Sequence, residues 1–191
     1  GLCAAFIAQE KGHQVTLYEA SDKLGGNMRL AAYPPGKGDI TNMIRSYIVR
    51  CQKAGVTIKM NQEVTLDLIR EEKPDSVIVA SGSRTLILPI EGIDNPAIIH
   101  GSDLLDGKRA AGKKVLVVGG GMVGCETAAF LGEQNHDVTV IEFRDTVGAD
   151  VIHEHRVYLM KDFEDYKIKE ITGAKVCKFY EDGVELSLIH I

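Results

Sequence analysis

The 191-residue sequence has no tryptophan, four cysteines and no strongly basic stretch. Each shortage excludes something. Cys3, Cys51, Cys125 and Cys177 are scattered, with no C-x-x-C pair and no metal-like spacing. They read as small buried or half-buried side chains of a protein in a reducing, cytoplasmic compartment. The formal net charge of −5, with no run of basic residues, argues against nucleic acid or an anionic membrane as partner. No apolar stretch approaches the length of a bilayer span, and neither a signal peptide nor an initiating methionine is present. His153 and His155 flank Glu154, but helix positions two apart point to different faces, so no metal is expected there.

What the sequence does contain is centred on Lys113 to Glu142, KKVLVVGGGMVGCETAAFLGEQNHDVTVIE. Val115 to Val118 is a short β-branched run of the kind that forms a buried parallel strand. Gly119, Gly121 and Gly124 follow as G-x-G-x-x-G, and helical apolar spacing runs from Met122 through Ala128, Ala129 and Leu131. Asp137 to Glu142 alternates as a second strand ending in a carboxylate. This order suits a dinucleotide. Gly119 permits the tight turn, Gly121 has no Cβ to obstruct a pyrophosphate, and Gly124 lets helix and strand pack closely. The helix N-terminus offers unpaired N–H groups and a positive dipole end to the phosphates. Glu142 would accept hydrogen bonds from the adenosine ribose.

A second copy of part of this unit opens the chain. Gly1 and Glu19 stand 18 positions apart, as do Gly124 and Glu142, and the two segments align without a gap. The shared positions are Gly1/Gly124, Ala5/Ala128, Glu10/Glu133, His13/His136, Val15/Val138, Thr16/Thr139 and Glu19/Glu142. Gly1 is therefore read as the third glycine of another fingerprint, whose first strand and first two glycines would precede it. The length accommodates one or two small domains, and the duplication favours two incomplete ones.

Taken in order, the sequence predicts a helix over Leu2–Lys11 and a strand over Gln14–Glu19. Ala20 to Gly26 follows as a loop with paired glycines, where a bare backbone could approach a cofactor. A helix is predicted from Asp39 to about Ala54, with Gly55 as its C-terminal stop. Val56–Met60 reads as a strand and Thr65–Glu72 as a short helix. Asp75 to Gly82 reads as a buried strand running into the small-residue turn Ala80-Ser81-Gly82, as a ligand crevice at a strand's carboxyl end requires. Leu88 to Pro96 is expected to cross between domains, with the boundary near residues 100 to 112. Further on, Val151–Phe163 reads as a helix, and Lys167–Thr172 and Ala174–Tyr180 as strands. Glu181-Asp182-Gly183 is a hairpin signal, with Val184 to Leu188 returning. The last six residues, Leu186 to Ile191, resemble translated adapter sequence and are set aside as a non-native tail; an edge strand is the alternative.

Two fingerprints joined by a strand ending in Ala80-Ser81-Gly82 resemble the flavoproteins with two dinucleotide-binding domains. LGGNMRLAAYPPGKGDI, from Leu24, and VVGGGMVGCETAAFLGEQNHDVTVIE, from Val117, are similar to one subfamily in particular. It is the carboxyl-terminal region of the 2-enoate and 2,4-dienoyl-CoA reductases, relatives of old yellow enzyme and trimethylamine dehydrogenase. The resemblance implies an α/β fold with two Rossmann-like domains, both incomplete: residues 1–105 for FAD, lacking a first strand, and 106–185 for NAD(P)H. The cofactor-binding set it implies on the flavin side is Gly1, Glu19, Ala20, Lys23, Gly25, Gly26, Val64, Ala80, Ser81 and Gly82. On the nicotinamide side it is Gly119, Gly121, Met122, Val123, Gly124, Glu142 and Arg144.

By the same resemblance this is the electron-entry part of an oxidoreductase. It would pass electrons from NADH to FAD, and then to FMN and an iron–sulfur cluster in an amino-terminal barrel, for reduction of an enoate or dienoyl-CoA type substrate. The flavin supplies the hydride chemistry, so no protein acid, base or nucleophile is expected. NADH is favoured over NADPH because Glu142 sits where a 2′-phosphate would dock, although Arg144 nearby could offset it. Three other readings stand beside this one. A disulfide or thioredoxin reductase would need a redox cysteine pair. A nucleotide-holding module with bound ADP would be structural. An isolated fragment could bind nothing.

Overall fold

The computed structural model describes residues 1–188, in two compact units. The first comprises Gly1–Ala32 and Lys37–Arg84; the second comprises Tyr33–Gly36 and the chain from Thr85 onward. The sequence-based domain boundary at 105/106 thus lies some way after the point at which the chain passes into its second unit. Leu88–Pro96, read as a crossing segment, belongs wholly to that unit. There Glu91 bridges to Lys178, and Ile90 packs beside Phe179.

In the first unit, helix α1 (Leu2–Glu10) leads to strand β1 (Thr16–Tyr18). Helix α2 (Asp39–Ala54) leads to β2 (Thr57–Lys59), and α3 (Leu66–Glu72) follows. β1 and β2 pair in parallel, Thr16 opposite Thr57 and Tyr18 opposite Lys59. α2 has the bounds its apolar period predicts. It stops at Gly55, which adopts φ +84° while the Val56 N–H donates to the Cys51 carbonyl at 3.0 Å. α3 starts at Thr65, whose hydroxyl accepts from the Leu68 N–H at 3.2 Å. Phe6, Ala5, Cys51 and Val56 form the core of this unit. The Arg50 guanidinium lies 3.8 Å from the centre of the Phe6 ring and pairs with Glu10 at 3.2 Å, covering one side of that core.

In the second unit, a short helix α4 (Gly101–Leu105) precedes β3 (Lys114–Val118), α5 (Met122–Glu133) and β4 (Asp137–Ile141). Then come α6 (His153–Asp165), β5 (Lys169–Ile171), β6 (Ala174–Phe179) and β7 (Val184–Leu188). β3, β4 and β5 make a parallel three-stranded sheet in that order, Val115 opposite Val138 and Val118 opposite Ile141. α5 packs on the sheet through Cys125, Ala128, Ala129 and Leu131, which meet Val138, Val140, Leu159 and Phe163. Ile141 takes part in a second cluster with Ala174 and Val176 of the β6–β7 hairpin. The hairpin turns at Glu181–Gly183, where the Tyr180 N–H donates to the Gly183 carbonyl at 2.8 Å. Leu186 and Ser187, set aside from the sequence as tail, pair with Val176 and Lys175, and Leu188 with Ala174. Ile189 to Ile191 lie outside the described residues.

The sequence repeat has a structural counterpart. α1 and α5 end at the paired residues Glu10 and Glu133. In each unit the strand after that helix pairs in parallel with the strand that follows the next long helix. The acid at its end donates its backbone N–H across to the neighbour, Glu19 to the Lys59 carbonyl and Glu142 to the Ile171 carbonyl, both at 2.9 Å.

One expectation fails. Asp75–Gly82, predicted as a buried strand, makes no ladder with any described strand, and Val77, Ile78 and Val79 are exposed. A β-branched run becomes a strand only beside another strand's free edge. In the first unit the only described ladder is β1 with β2, and Asp75–Gly82 does not join it.

Leu131 is 1 % exposed at the centre of the α5 interface. Leu131→Ala is expected to destabilise the second unit by about 2–5 kcal/mol, measured as a lower urea midpoint.

Candidate functional site

The glycine turn after β3 is built by one left-handed residue and two close approaches. Gly119 adopts φ +101°, which side chains rarely tolerate. A Cβ on Gly124 would lie 1.8 Å from the Gly119 carbonyl oxygen, so no other residue lets α5 come this near to the turn. Gly120 is enclosed as well: a Cβ there would meet Val147 at 2.9 Å and Glu142 at 3.0 Å. The fingerprint pattern leaves that middle position unrestricted, so its constraint was not legible from spacing.

Glu142 stands at the end of β4 with both carboxylate oxygens engaged. Oε2 accepts from the Gly120 N–H at 2.5 Å, and Oε1 from the Arg144 N–H at 2.8 Å. This fixes the carboxylate against the turn while leaving lone pairs on Oε1 for ribose hydroxyls. Met122 and Val123, the first residues of α5, are exposed. A cavity of about 220 Å³ is lined by Gly120, Gly121, Glu142, Arg144, Thr146 and Asp150. All seven expected nicotinamide-side residues therefore fall on the turn, the start of α5 or the end of β4. Asp150 and Thr146 had no signal in the sequence. They enter because the Gly148 N–H donates to the Gly120 carbonyl at 2.7 Å, folding a distant loop back over the turn.

The first unit gathers its expected residues more loosely. Glu19 Oε1 accepts from the Ser21 N–H at 2.9 Å and the Ser21 hydroxyl at 2.8 Å, and that hydroxyl reaches the Lys23 carbonyl. The Gln62 N–H donates to the Glu19 carbonyl at 2.9 Å, bringing the Val64 segment beside Glu19 and Ala20. Gly25 and Gly26 have φ +110° and +51°, and open space faces Gly26. Asn27 Nδ2 donates to the carbonyl and hydroxyl of Ser83, tying this turn to Ala80, Ser81 and Gly82. A Cβ on Gly1 would lie 3.8 Å from Ala80. The bare backbone at Gly26 and the carboxylate of Glu19 suit the phosphate and ribose of a nucleotide.

Burial pushes the Cys125 thiol up to about 11, and its Sγ lies 3.1 Å from the Gly120 carbonyl. A thiol so protonated is a packing group rather than a nucleophile. His155 Nε2 lies 3.0 Å from the buried Glu126 and joins α6 to α5. No group of three or more metal-ligating side chains occurs among the described residues. No helix among them is long and apolar enough to cross a membrane.

A family model described as pyridine nucleotide-disulphide oxidoreductase matches residues 1–190. The chain belongs to that family. It is similar to the bilirubin reductase of Mediterraneibacter gnavus, 33% identical over 185 residues, or 97% of this chain and 29% of the relative. The cinnamate reductase of Clostridium sporogenes is 33% identical over 190 residues, covering 98% of this chain and 28% of the relative. A solved 2-naphthoyl-CoA reductase complex superposes with a TM-score of 0.92 at 33% identity, over 97% of this chain and 28% of that one. The chain thus spans less than a third of these proteins. The family fold is that of FAD- and NAD(P)-binding oxidoreductases, and the glycine turn with Glu142 fits the NAD(P) cofactor it implies.

Gly124→Ala would drive a methyl group into the Gly119 carbonyl. The variant is expected to lose about 1–3 kcal/mol of stability and to bind NADH at least tenfold more weakly, as read by calorimetric titration.

Proposed function

We propose that this chain is the electron-entry part of an FAD-dependent NAD(P)H oxidoreductase, and that NADH is its preferred donor. The observation that carries the reading is the turn at Gly119–Gly124. It lies against the α5 N-terminus with a fixed carboxylate at the neighbouring strand end, in a chain whose family match spans 1–190. The second unit holds the nicotinamide nucleotide through Gly119, Gly121, Met122, Val123, Gly124, Glu142 and Arg144. The first holds FAD through Gly1, Glu19, Ala20, Lys23, Gly25, Gly26, Val64 and Ala80–Gly82. The two residue sets fall within residues 1–105 and 106–185, proposed as two incomplete Rossmann-like domains of a cytoplasmic protein.

The chain's own part is positional. α5 directs its N–H groups at the pyrophosphate, Glu142 anchors the adenosine ribose, and the glycines keep side chains out of the phosphate path. When bound, the flavin supplies the hydride chemistry. Onward electron flow to FMN and an iron–sulfur centre belongs to polypeptide outside this chain. The substrate proposed is an unsaturated acyl compound of the enoate or dienoyl-CoA type. Relatives named for cinnamate and 2-naphthoyl-CoA support that class.

Two variants of the full-length protein test the two sites separately. Glu142→Ala removes charge-assisted ribose contacts worth about 1.5–3 kcal/mol, so kcat/KM for NADH should fall about tenfold or more and the NADPH/NADH ratio should rise. A wild type that prefers NADPH, or a ratio that does not move, would refute the role of Glu142. Glu19→Ala should weaken flavin retention by about 1.5–3 kcal/mol, read as flavin content after dialysis. Unchanged content would remove FAD from the first unit.

A further inference from the structure

The place reserved for phosphate on α5 already holds a carboxylate. Asp150 Oδ1 accepts from the N–H of Met122, the first helical donor, at 2.9 Å. Its Oδ2 lies 3.2 Å from the point where a Cβ on Gly121 would stand. The glycine whose bare backbone would face a pyrophosphate thus faces this side chain instead. The posture is braced from both sides. The Gly148 N–H holds the loop to the turn, and Arg156 Nη2 donates to the Val147 carbonyl and the Thr146 hydroxyl, each at 3.1 Å. Asp150 itself is exposed, so its position does not come from burial in the core. With Glu142 it gives the cavity two carboxylates against the single guanidinium of Arg144.

We propose that Asp150 is a resident mimic of the nucleotide phosphate, one that must leave the Met122 N–H before a pyrophosphate can seat, and that it thereby sets the nucleotide affinity of this site. The inference rests on the reading of the glycine turn as a nucleotide site. Its physical basis is competition for one donor. Phosphate and carboxylate seek the same N–H and the same positive helix end, and two anions cannot share them at contact distance. The nucleotide-ready state is the fraction of molecules with Asp150 withdrawn, and the apparent dissociation constant is the intrinsic one divided by that fraction. The effect is confined to ligands that carry phosphate. A nucleoside, which reaches only the Glu142 end of the cavity, does not meet it.

The test compares wild type, Asp150→Asn and Asp150→Ala in the full-length protein by isothermal titration with ADP-ribose and, separately, with adenosine. Asn keeps an oxygen for the Met122 N–H while dropping the charge; Ala vacates the place altogether. ADP-ribose should bind about tenfold more tightly to both variants, with adenosine affinity unchanged. Unfolding midpoints taken alongside identify a destabilised variant, in which case the other one decides. Weaker or unchanged ADP-ribose binding in folded variants would show Asp150 to be a structural cap and overturn the inference, with the nucleotide site intact. Tightening of adenosine by the same factor would overturn it too. If neither wild type nor variants bind ADP-ribose, this inference and the nucleotide reading both fall.

Discussion

The approach of α5 to the turn before it depends on the absence of a single methyl group. With Gly124 bare, the helix lies against the Gly119 carbonyl at a separation that a Cβ would occupy at 1.8 Å. The other features of the second unit follow from that contact. The helix start is brought level with the ends of β3 and β4, so the Gly120 N–H meets Glu142 and the Met122 N–H meets Asp150. Small residues continue along the same face, Cys125, Ala128 and Ala129 at 0 % exposure, and keep the whole helix close to the sheet. Close packing fixes the directions of the N–H groups, and those directions determine what the site can hold.

The two units carry out one construction twice. Glu19 and Glu142 each end a strand that pairs in parallel with its neighbour, and each carboxylate accepts from the backbone N–H two residues on, of Ser21 and Arg144. The residue two positions after each acid then sets the difference. Ser21 adds a hydroxyl to the Glu19 carboxylate at 2.8 Å, a neutral neighbour. Arg144, a cationic residue, lies in the cavity wall. A shared geometry with a changed side chain at one position is what the proposed binding of two different nucleotides would use.

Where a residue's role comes from backbone geometry within a few positions, the sequence was sufficient. α2 and its Gly55 stop, the β3–α5–β4 order and the Glu181–Gly183 turn are of this kind. Where the role depends on a segment distant in sequence, it was not. Val77–Val79 has the composition of a strand yet pairs with no described strand, and composition alone does not report where pairing edges lie. α4 is only five residues long, too short for an apolar period to show. Asp150 reaches the turn through one hydrogen bond between Gly148 and Gly120, a contact that leaves no pattern in the chain.

The charge at the second site makes sense once binding and turnover are weighed together. A nucleotide that only donates a hydride must leave after each cycle, and affinity applied equally to ground and transition states does not raise the rate. A helix N-terminus with free donors favours retention of a pyrophosphate. On the proposed reading Asp150 opposes that retention by holding the Met122 N–H, while Glu142, in the wall of the same 220 Å³ cavity, meets the ribose. Their effects differ in kind. On the same reading Glu142 gains hydrogen bonds from the correct ribose and meets repulsion only from a 2′-phosphate, so it would discriminate. Asp150 gains nothing from any nucleotide and yields its donor to all of them, so it adjusts affinity without choosing. On this proposal selectivity and residence can be altered one at a time, by two carboxylates that share a cavity but not a ligand atom.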